Sequence, residues 1–322
     1  MTDPTFETFE HLITTCPHQL QAVFVSDLHL SADEPALMQA FLALLDDLLA
    51  LPNLRQLYIL GDWFDAWIGD DSYLQLSDDA KMTHWLTPMF MALKSLRIQG
   101  CDILVMHGNR DFLLGQPLCN VFAGQLVTEP QLIDLYELID DDFVDKKNPI
   151  TNQPSINHSN NHSNNNHHTS DKSVHHRLRL EHGDALCTDD KAYQRLRRWS
   201  RNRLLQWWLL SKPLHKRQKI ANLLRQKSQK SNHKKASHIM DVNAAAVDDV
   251  MVQVDMLLHG HTHRPAIHKL ANHKYRFVLG DWQSDNTTQV SAVIGVLVSD
   301  KKNGLAKLRL VNFVHLLKCP ST

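Results

Sequence analysis

Three features are missing from this chain of 322 residues, and each absence excludes a class of protein. Its five cysteines include no Cys-x-x-Cys pair, and an odd, dispersed set is typical of reduced thiols rather than of a disulfide framework. No lysine or arginine precedes Arg55, so the start lacks the positive region of a signal peptide. No apolar run approaches the ~20 residues of a membrane-spanning helix. We therefore expect a cytoplasmic protein that does not span a membrane.

Acidic residues are missing from one long segment, residues 191–238, which we call the basic segment. The whole chain is balanced, with a net charge of −1, but the basic segment holds 15 lysines and arginines interspersed with tryptophan and leucine. This composition predicts a helical insertion. It leaves three functions open: nucleic-acid binding, binding to an anionic membrane surface, or a lid over a phosphorylated ligand with an apolar part.

The rest of the chain contains short apolar runs that end in Asp, His, Gly or Asn. They read AVFVSD, QLYILGD, DILVMHGN, RLRLEHGD and DMLLHGH. Residues 35–51 have helical spacing instead, and a run of strand-like segments follows residue 275. This order predicts an α/β fold, a two-sheet sandwich flanked by helices, with polar residues gathered at one rim of the sheets.

Two segments interrupt the predicted core, which spans residues 20–190 and 239–322. The first is the basic segment, which we expect to form a helical lid. The second, residues 143–176, is a low-complexity tract of Asn, His and Ser with little to bury, a composition typical of disorder. Its histidines could bind metal loosely, but a solvated insertion explains them more simply, and we expect the tract to be dispensable.

Five strand ends carry side chains that bind metal ions. The candidate ligands are Asp27, His29, Asp62, Asn109, His182, His261 and His263. One Asp or His at a strand end usually marks a turn, whereas five such ends in order are a strong signal. Carboxylate, imidazole and amide groups suit a hard or borderline divalent ion such as Mn²⁺, and the lack of cysteine disfavours structural zinc. Seven ligands are too many for one tetrahedral ion but suit two ions bridged by a carboxylate.

These motifs resemble the calcineurin-like metallophosphoesterases, whose blocks run D-x-H, G-D-x-x-D, G-N-H-D/E, H and G-H-x-H. Under this resemblance one ion is held by Asp27, His29, Asp62 and His263. The other is held by Asp62, Asn109, His182 and His261, so that Asp62 bridges the two. His259, which lies in the same HGHTH stretch, is then a structural residue or supports the ligands from behind.

Arg110, in GNRDFLLG, departs from the pattern of most of that family, which has histidine after Gly-Asn. A histidine there can act as a general acid for a poor leaving group. Arginine stays charged and grips phosphate oxygens through two hydrogen bonds. The difference favours a substrate whose leaving group is already good, such as a phosphate released from a diphosphate.

The longer blocks identify a narrower resemblance over roughly residues 22–135 and 177–285. DLHLSADEP, YILGDWFDAWIGDD, HGNRDFLLG, HGDALCTDD, IMDVN and HGHTHRP are similar to the UDP-2,3-diacylglucosamine hydrolase family of lipid A synthesis. The resemblance implies hydrolysis of UDP-2,3-diacylglucosamine to UMP and 2,3-diacylglucosamine 1-phosphate (lipid X) by a hydroxide that bridges two Mn²⁺ or other divalent ions. The implied catalytic residues are Asn109, Arg110 and His261. The implied substrate contacts are Asn109, Arg110, Asp190, Ser228, Asn232, Lys235 and His261.

The expected partners follow from this reaction. We expect a monomer that binds no nucleic acid and lies peripherally on the anionic cytoplasmic face of the inner membrane. Its basic segment would contact phosphates or lipid head groups, with Trp207 and Trp208 sheltering acyl chains. Two alternatives stay open: another metallophosphoesterase that acts on nucleic acid or nucleotides, with tryptophan stacked on bases, and a non-catalytic RNA- or membrane-binding module. Salt-sensitive oligonucleotide binding would favour the first alternative, and metal-stimulated turnover would exclude the second.

Overall fold

The structure is a computed structural model that describes residues 6–136, 175–232, 241–285, 288–300 and 305–317. The predicted Asn/His/Ser insertion at residues 143–176 lies outside these ranges except for its last two residues. The predictions made for that insertion therefore remain predictions.

Seven strands form the first sheet, in which four parallel strands lie side by side. The parallel strands are β1 (Leu20–Val25), β2 (Gln56–Leu60), β3 (Asp102–Met106) and β4 (Gln125–Leu126). The antiparallel strands are β10 (Gln283–Ser284), β11 (Gln289–Asp300) and β12 (Leu305–Leu316). β11 joins the two groups, because it pairs with β1 as well as with β10 and β12.

Five strands form the second sheet, in the order β5-β6-β7-β9-β8. The strands are β5 (Gln131–Tyr136), β6 (His175–Glu181), β7 (Met256–His259), β8 (Ala266–Lys269) and β9 (Tyr275–Val278). β6, β7 and β9 are parallel neighbours, and an antiparallel strand covers each edge.

Ten α-helices accompany the sheets in the described part of the chain. They are α1 (Phe9–Thr15), α2 (Pro35–Leu49), α3 (Asp71–Leu74), α4 (Asp78–Met82), α5 (Thr87–Ile98), α6 (Gln116–Cys119), α7 (Lys191–Ser200), α8 (Arg203–Leu210), α9 (Leu214–Asn232) and α10 (Ala244–Met251). α1, α2 and α5 pack on the outer face of the first sheet, and α10 packs on the outer face of the second.

Strand residues alternate between two apolar layers because both faces of the first sheet are covered. On β1, Val23 and Val25 face the helices, whereas Ala22 and Phe24 face the second sheet. The second sheet contributes residues such as Leu258 to the layer between the sheets. The predicted two-sheet sandwich flanked by helices is therefore confirmed.

The basic segment forms α7, α8 and α9, which pack against the loops at one end of the sheets. Leu209 of α8 is buried in the main core. Arg217 of α9 is also buried; it pairs with Asp71 and donates a hydrogen bond to the Ile68 carbonyl. None of the helices in the described ranges is long and apolar enough to cross a bilayer.

The ends of β5 and β6 generate a prediction, because Tyr136 and His175 are Cα partners in an antiparallel pair. A short turn can join such neighbours, and shortening a loop changes its closure entropy only slowly with length. Deleting residues 139–172 should leave the melting temperature and phosphodiesterase turnover near those of the full chain. A folded deletion variant that loses metal or turnover would show that the insertion contributes to the site.

Candidate metal centre

The predicted ligands converge at the carboxyl edge of both sheets. They follow β1, β2 and β3 in the first sheet and β6 and β7 in the second, and the carboxyl ends of parallel strands meet at one edge. Hydrogen bonds fix the loops to one another: the amide of His29 donates to the Asp62 carbonyl at 3.0 Å. Across the sheets, the amide of His261 donates to Asp27 Oδ2 at 2.8 Å.

The backbone at this edge is unusual. Within the described ranges, eight non-glycine residues have positive φ, and five of them are predicted ligands. They are Asp27, His29, Asp62, His261 and His263, with φ between 49° and 67°. Asp and His tolerate this left-handed region better than most residues, but each such conformation costs about 1–3 kcal/mol. The concentration of left-handed conformations at one edge indicates that the fold tolerates their cost in stability because they orient these side chains.

One cluster consists of Asp27, His29 and His263, whose potential ligand atoms all lie within 4.8 Å of one another. His263 Nε2 lies 3.4 Å from Asp27 Oδ1, and its Nδ1 lies 3.2 Å from Asp281 Oδ2. Asp281 therefore orients the imidazole from behind, as carboxylates commonly do for metal-binding histidines. Sequence reasoning missed Asp281, although it follows the run FVLG in the same way that Asp62 follows YILG.

A second cluster joins Asp27, Asp62 and His182, all of which are buried. His182 Nδ1 lies 2.9 Å from the Leu60 carbonyl, which directs Nε2 toward Asp62 Oδ2 at 3.8 Å and Asn109 Oδ1 at 3.4 Å. The ring of His261 lies beside the ring of His182, with centroids 5.0 Å apart. All seven predicted ligands thus gather around two neighbouring clusters.

The buried carboxylates stabilise positive charge on the groups around them. Although burial works to lower it, the charges of Asp62 and Asp27 raise the pKa of His182 to about 9. Burial opposes the same effect at His263, where Asp27 and Asp281 raise the pKa to about 10. Burial and the charge of His182 lower the pKa of His261 to about 4, so this imidazole stays neutral, the form that binds a metal ion.

The donor set fits a pair of divalent ions. Both ring nitrogens of His29 and Nδ1 of His261 are buried and have no hydrogen-bond partner among the described residues. Unpaired buried polar atoms are costly unless a ligand satisfies them. Oxygen and imidazole donors around two adjacent carboxylates match the chemistry of hard or borderline ions.

Asp111 and Gly108 shape the loop that carries Asn109. Buried Asp111 accepts hydrogen bonds from the amides of Trp63 at 2.8 Å and Gly108 at 2.6 Å, which ties the loops after β2 and β3 together. A Cβ at Gly108 would lie 2.1 Å from Asp62 Oδ1, so only glycine permits this approach.

An apolar cavity that opens to solvent lies between the loops of the core and helices α7, α8 and α9. Asn109 and Arg110 line it beside the metal clusters. The residues of its apolar wall are Trp67, Ile68, Phe112, Leu113, Leu196, Trp199, Leu209, Ile220, Ala221 and Leu224. Trp207 and Trp208 do not line this cavity. The prediction that they shelter acyl chains therefore does not agree with the lining of this cavity, which includes Trp199 instead.

The predicted substrate contacts are only partly brought to the cavity. Arg110 forms an ion pair with Asp65, whose other oxygen lies 2.8 Å from Arg225 Nη1 of α9. Asp190 caps α7, where its Oδ1 accepts from the Tyr193 amide at 3.0 Å. Ser228 and Asn232 lie on α9, and Lys235 lies outside the described residues, so the substrate contacts predicted for these three residues remain predictions.

Comparison with known proteins identifies the family. Residues 20–265 match the calcineurin-like phosphoesterase family. The chain belongs to this family. Membership implies a dinuclear divalent metal site, whose ligands the two clusters can supply.

The curated relatives show which members of the calcineurin-like phosphoesterases this chain resembles. A UDP-2,3-diacylglucosamine hydrolase from Serratia proteamaculans is 38% identical over 83% of this chain and 93% of its own length. Hydrolases with the same name from Pseudomonas aeruginosa and Marinobacter nauticus are 38% and 37% identical, over 82% and 83% of this chain and 91% of each relative. The crystal structure of a dimetal phosphatase from Danio rerio covers 92% of this chain and 99% of its own, but its TM-score of 0.39 and 11% identity support no argument.

The ligand clusters predict distinct metal stoichiometries. His261→Ala and His263→Ala should each lose roughly one ion per chain. Asp62→Ala should lose both and have no measurable turnover if Asp62 is the bridge that the resemblance implies, whereas the carboxylate that the two clusters share in the structure is that of Asp27. His259→Ala should keep both ions. Metal analysis after equilibrium dialysis against Mn²⁺ measures these values, and equal losses in all four variants would contradict the division into two clusters.

Gly108→Ala provides a steric test of the same loop. The added methyl group would lie 2.1 Å from Asp62 Oδ1 and 2.2 Å from the Asp62 backbone nitrogen, so both the carboxylate and the backbone of this loop must move. We expect at least tenfold weaker Mn²⁺ binding, together with a lower melting temperature because the buried backbone of Asp62 must shift. Gly100→Ala is not a suitable control, because φ at Gly100 is +95°. Ser95→Ala, at an exposed position of α5, is suitable and should change neither quantity.

Proposed function

We propose that this chain hydrolyses the diphosphate bond of UDP-2,3-diacylglucosamine, releasing UMP and 2,3-diacylglucosamine 1-phosphate. The curated relatives with that name support the proposal, as does membership of a phosphoesterase family. The observation that carries it is the cavity, because one continuous space joins phosphate-binding residues to an extended apolar wall. A substrate that has both a diphosphate and acyl chains fits these two surfaces at once.

We infer that two divalent ions occupy the clusters, with Mn²⁺ the ion that the donor chemistry favours. Asp27, His29, Asp62 and His263 would hold one ion. Asp62, Asn109, His182 and His261 would hold the other. Divalent ions bound in this way supply Lewis acidity, which activates water for attack on phosphorus and neutralises phosphoryl oxygens.

The protein's own contribution is to position the diphosphate and to balance its charge. Asn109 and Arg110 stand where the cavity meets the clusters, so an amide and a guanidinium face the incoming phosphoryl oxygens. Asp65 holds the Arg110 side chain at this point, and a diphosphate competes for the same guanidinium. Whichever phosphorus of the diphosphate is attacked, a phosphate monoester leaves as a stable anion, so arginine can replace the histidine that would donate a proton.

The apolar wall provides the second half of the recognition. Leu196 and Trp199 come from α7, and Ile220 and Leu224 come from α9, so the basic segment forms a large part of this surface. Acyl chains placed against it would be removed from water, which contributes about 25 cal/mol for each Å² of apolar surface buried. Some cations of these helices pair with carboxylates of the protein, as Arg217 does with Asp71 and Arg225 with Asp65, and the remaining cations would face phosphates or anionic lipid.

We further propose that the outer side of the basic segment rests on the anionic surface of the inner membrane. Leu204, Trp207 and Leu223 are at least 66% exposed, and the ammonium group of Lys212 lies 4.6 Å from the centroid of the Trp208 ring. Exposed tryptophan and leucine among basic residues are typical of interfacial binding. The substrate carries its acyl chains at such a surface.

Two tryptophans separate cavity binding from surface binding. Trp199→Ala removes a cavity wall, so kcat/KM for the diacylated substrate in detergent should fall about tenfold, which corresponds to about 1.4 kcal/mol. Hydrolysis of a short water-soluble phosphodiester should be unchanged. Trp207→Ala is the matched control, since this side chain is exposed and outside the cavity.

The control has its own expected effect. Trp207→Ala should keep full turnover in detergent but bind less to vesicles containing an anionic phospholipid, measured by sedimentation. Equal turnover of the diacylated substrate by wild type and Trp199→Ala would contradict the acyl-binding role of the cavity. Salt-sensitive oligonucleotide binding that is lost in Trp207→Ala would instead support a nucleic-acid substrate.

A further inference from the structure

α7 belongs to the basic segment, yet its contacts reach beyond the cavity to the loops that carry metal ligands. The phenol of Tyr193 donates a hydrogen bond to Asp184 Oδ2 at 2.8 Å, and Arg197 Nε lies 3.0 Å from the same oxygen. Asp184 is fully buried two residues after His182. The carboxylate therefore fixes the start of α7 to the loop of one predicted ligand.

The same helix also reaches the other ligands of that site. The Tyr193 ring lies beside the His261 ring, with centroids 5.5 Å apart. Arg201, directly after α7, donates from Nη2 to the carbonyls of His107 at 3.1 Å and Gly108 at 3.3 Å, just before Asn109.

Glu129 completes this arrangement between α7 and the ligand loops. Its Oε1 accepts a hydrogen bond from the His182 amide at 2.8 Å, and its Oε2 lies 3.1 Å from Arg197 Nη2 and 3.6 Å from Arg201 Nη2. α7 thus contacts the surroundings of Asn109, His182 and His261. Within the described ranges, α7 forms no comparable hydrogen bond or ion pair with His29 or His263.

We propose that Asp184 and Arg201 are positioning residues for the ion held by Asn109, His182 and His261, so that α7 acts as the rear support of one metal site. This inference rests on the ion assignment made in the proposed function. The other ion depends on a separate support, Asp281 behind His263. The two sites then respond to different substitutions.

The sign of the charge that a substitution removes distinguishes a positioning role from a direct electrostatic effect on the ion. Asp184→Asn removes a negative charge, so weaker cation binding would follow from either cause. Arg201→Met removes a positive charge, so Coulomb attraction alone predicts tighter binding of a cation. A positioning role predicts weaker binding, because the carbonyls before Asn109 lose their donor. Arg201→Met is therefore the decisive variant.

Mn²⁺ binding to the purified full-length chain tests the proposal without substrate. Asp184→Asn and Arg201→Met should each weaken one of two ions about 10- to 100-fold and leave the other unchanged. Electron paramagnetic resonance should show the spin-coupled Mn²⁺ pair replaced by a single uncoupled ion. In a His263→Ala background, either substitution should weaken the ion that remains, whereas Asp281→Asn should not.

Asp71→Asn is the matched control for a loosened basic segment, because Asp71 pairs with Arg217 of α9 and contacts no ligand loop through that pair. It should bind both ions as the wild type does. Arg201→Met with wild-type or tighter binding would overturn the proposal, as would equal loss in Asp71→Asn. If Asp184→Asn does not fold, Tyr193→Phe, which removes one hydroxyl and no charge, should reproduce the loss at the same ion. A chain with this metal pattern that releases no UMP would contradict the proposed reaction and leave the positioning role intact.

Discussion

Two carboxylates buried side by side, Asp27 and Asp62, determine how the rest of this structure is arranged. They end adjacent parallel strands, so the sheet itself brings their charges together. Neither can be hydrated in this position, and such a pair is stable only with cations or protons close by. The carboxylates raise the pKa of His182 and of His263, which shows that they stabilise positive charge nearby. Two divalent ions would supply that positive charge.

The constraint explains several features that otherwise look unfavourable. Five ligands occupy left-handed backbone conformations, and Gly108 is needed because its neighbour is a carboxylate oxygen. Different groups orient the two imidazoles: Nδ1 of His182 contacts the Leu60 carbonyl, and Nδ1 of His263 contacts the Asp281 carboxylate. A fold optimised only for stability would avoid these conformations, so the geometry is more readily understood as a result of selection for binding metal.

Much of this arrangement could be predicted from local patterns in the sequence. Apolar runs that end in Asp, Asn or His predicted the parallel strands and their shared edge, and the spacing of leucines predicted α2. What could not be predicted depends on contacts between distant parts of the chain. Asp281, Glu129 and Asp184 contact residues on other elements. The sequence around each of these three residues does not indicate which distant residue it contacts. Trp207 and Trp208 resembled cavity residues by composition, but the orientation of α8 exposes them.

The basic segment links recognition to the metal centre. Its inner side forms the apolar wall, its outer side is exposed, and α7 reaches the ligand loops. The most direct test of the whole account is the rate of UMP release from UDP-2,3-diacylglucosamine as Mn²⁺ is restored to chelated protein. The account predicts that release requires the second ion per chain, and that the unacylated sugar nucleotide is cleaved far more slowly. Full turnover without bound ions, or equal turnover of the two substrates, would contradict it.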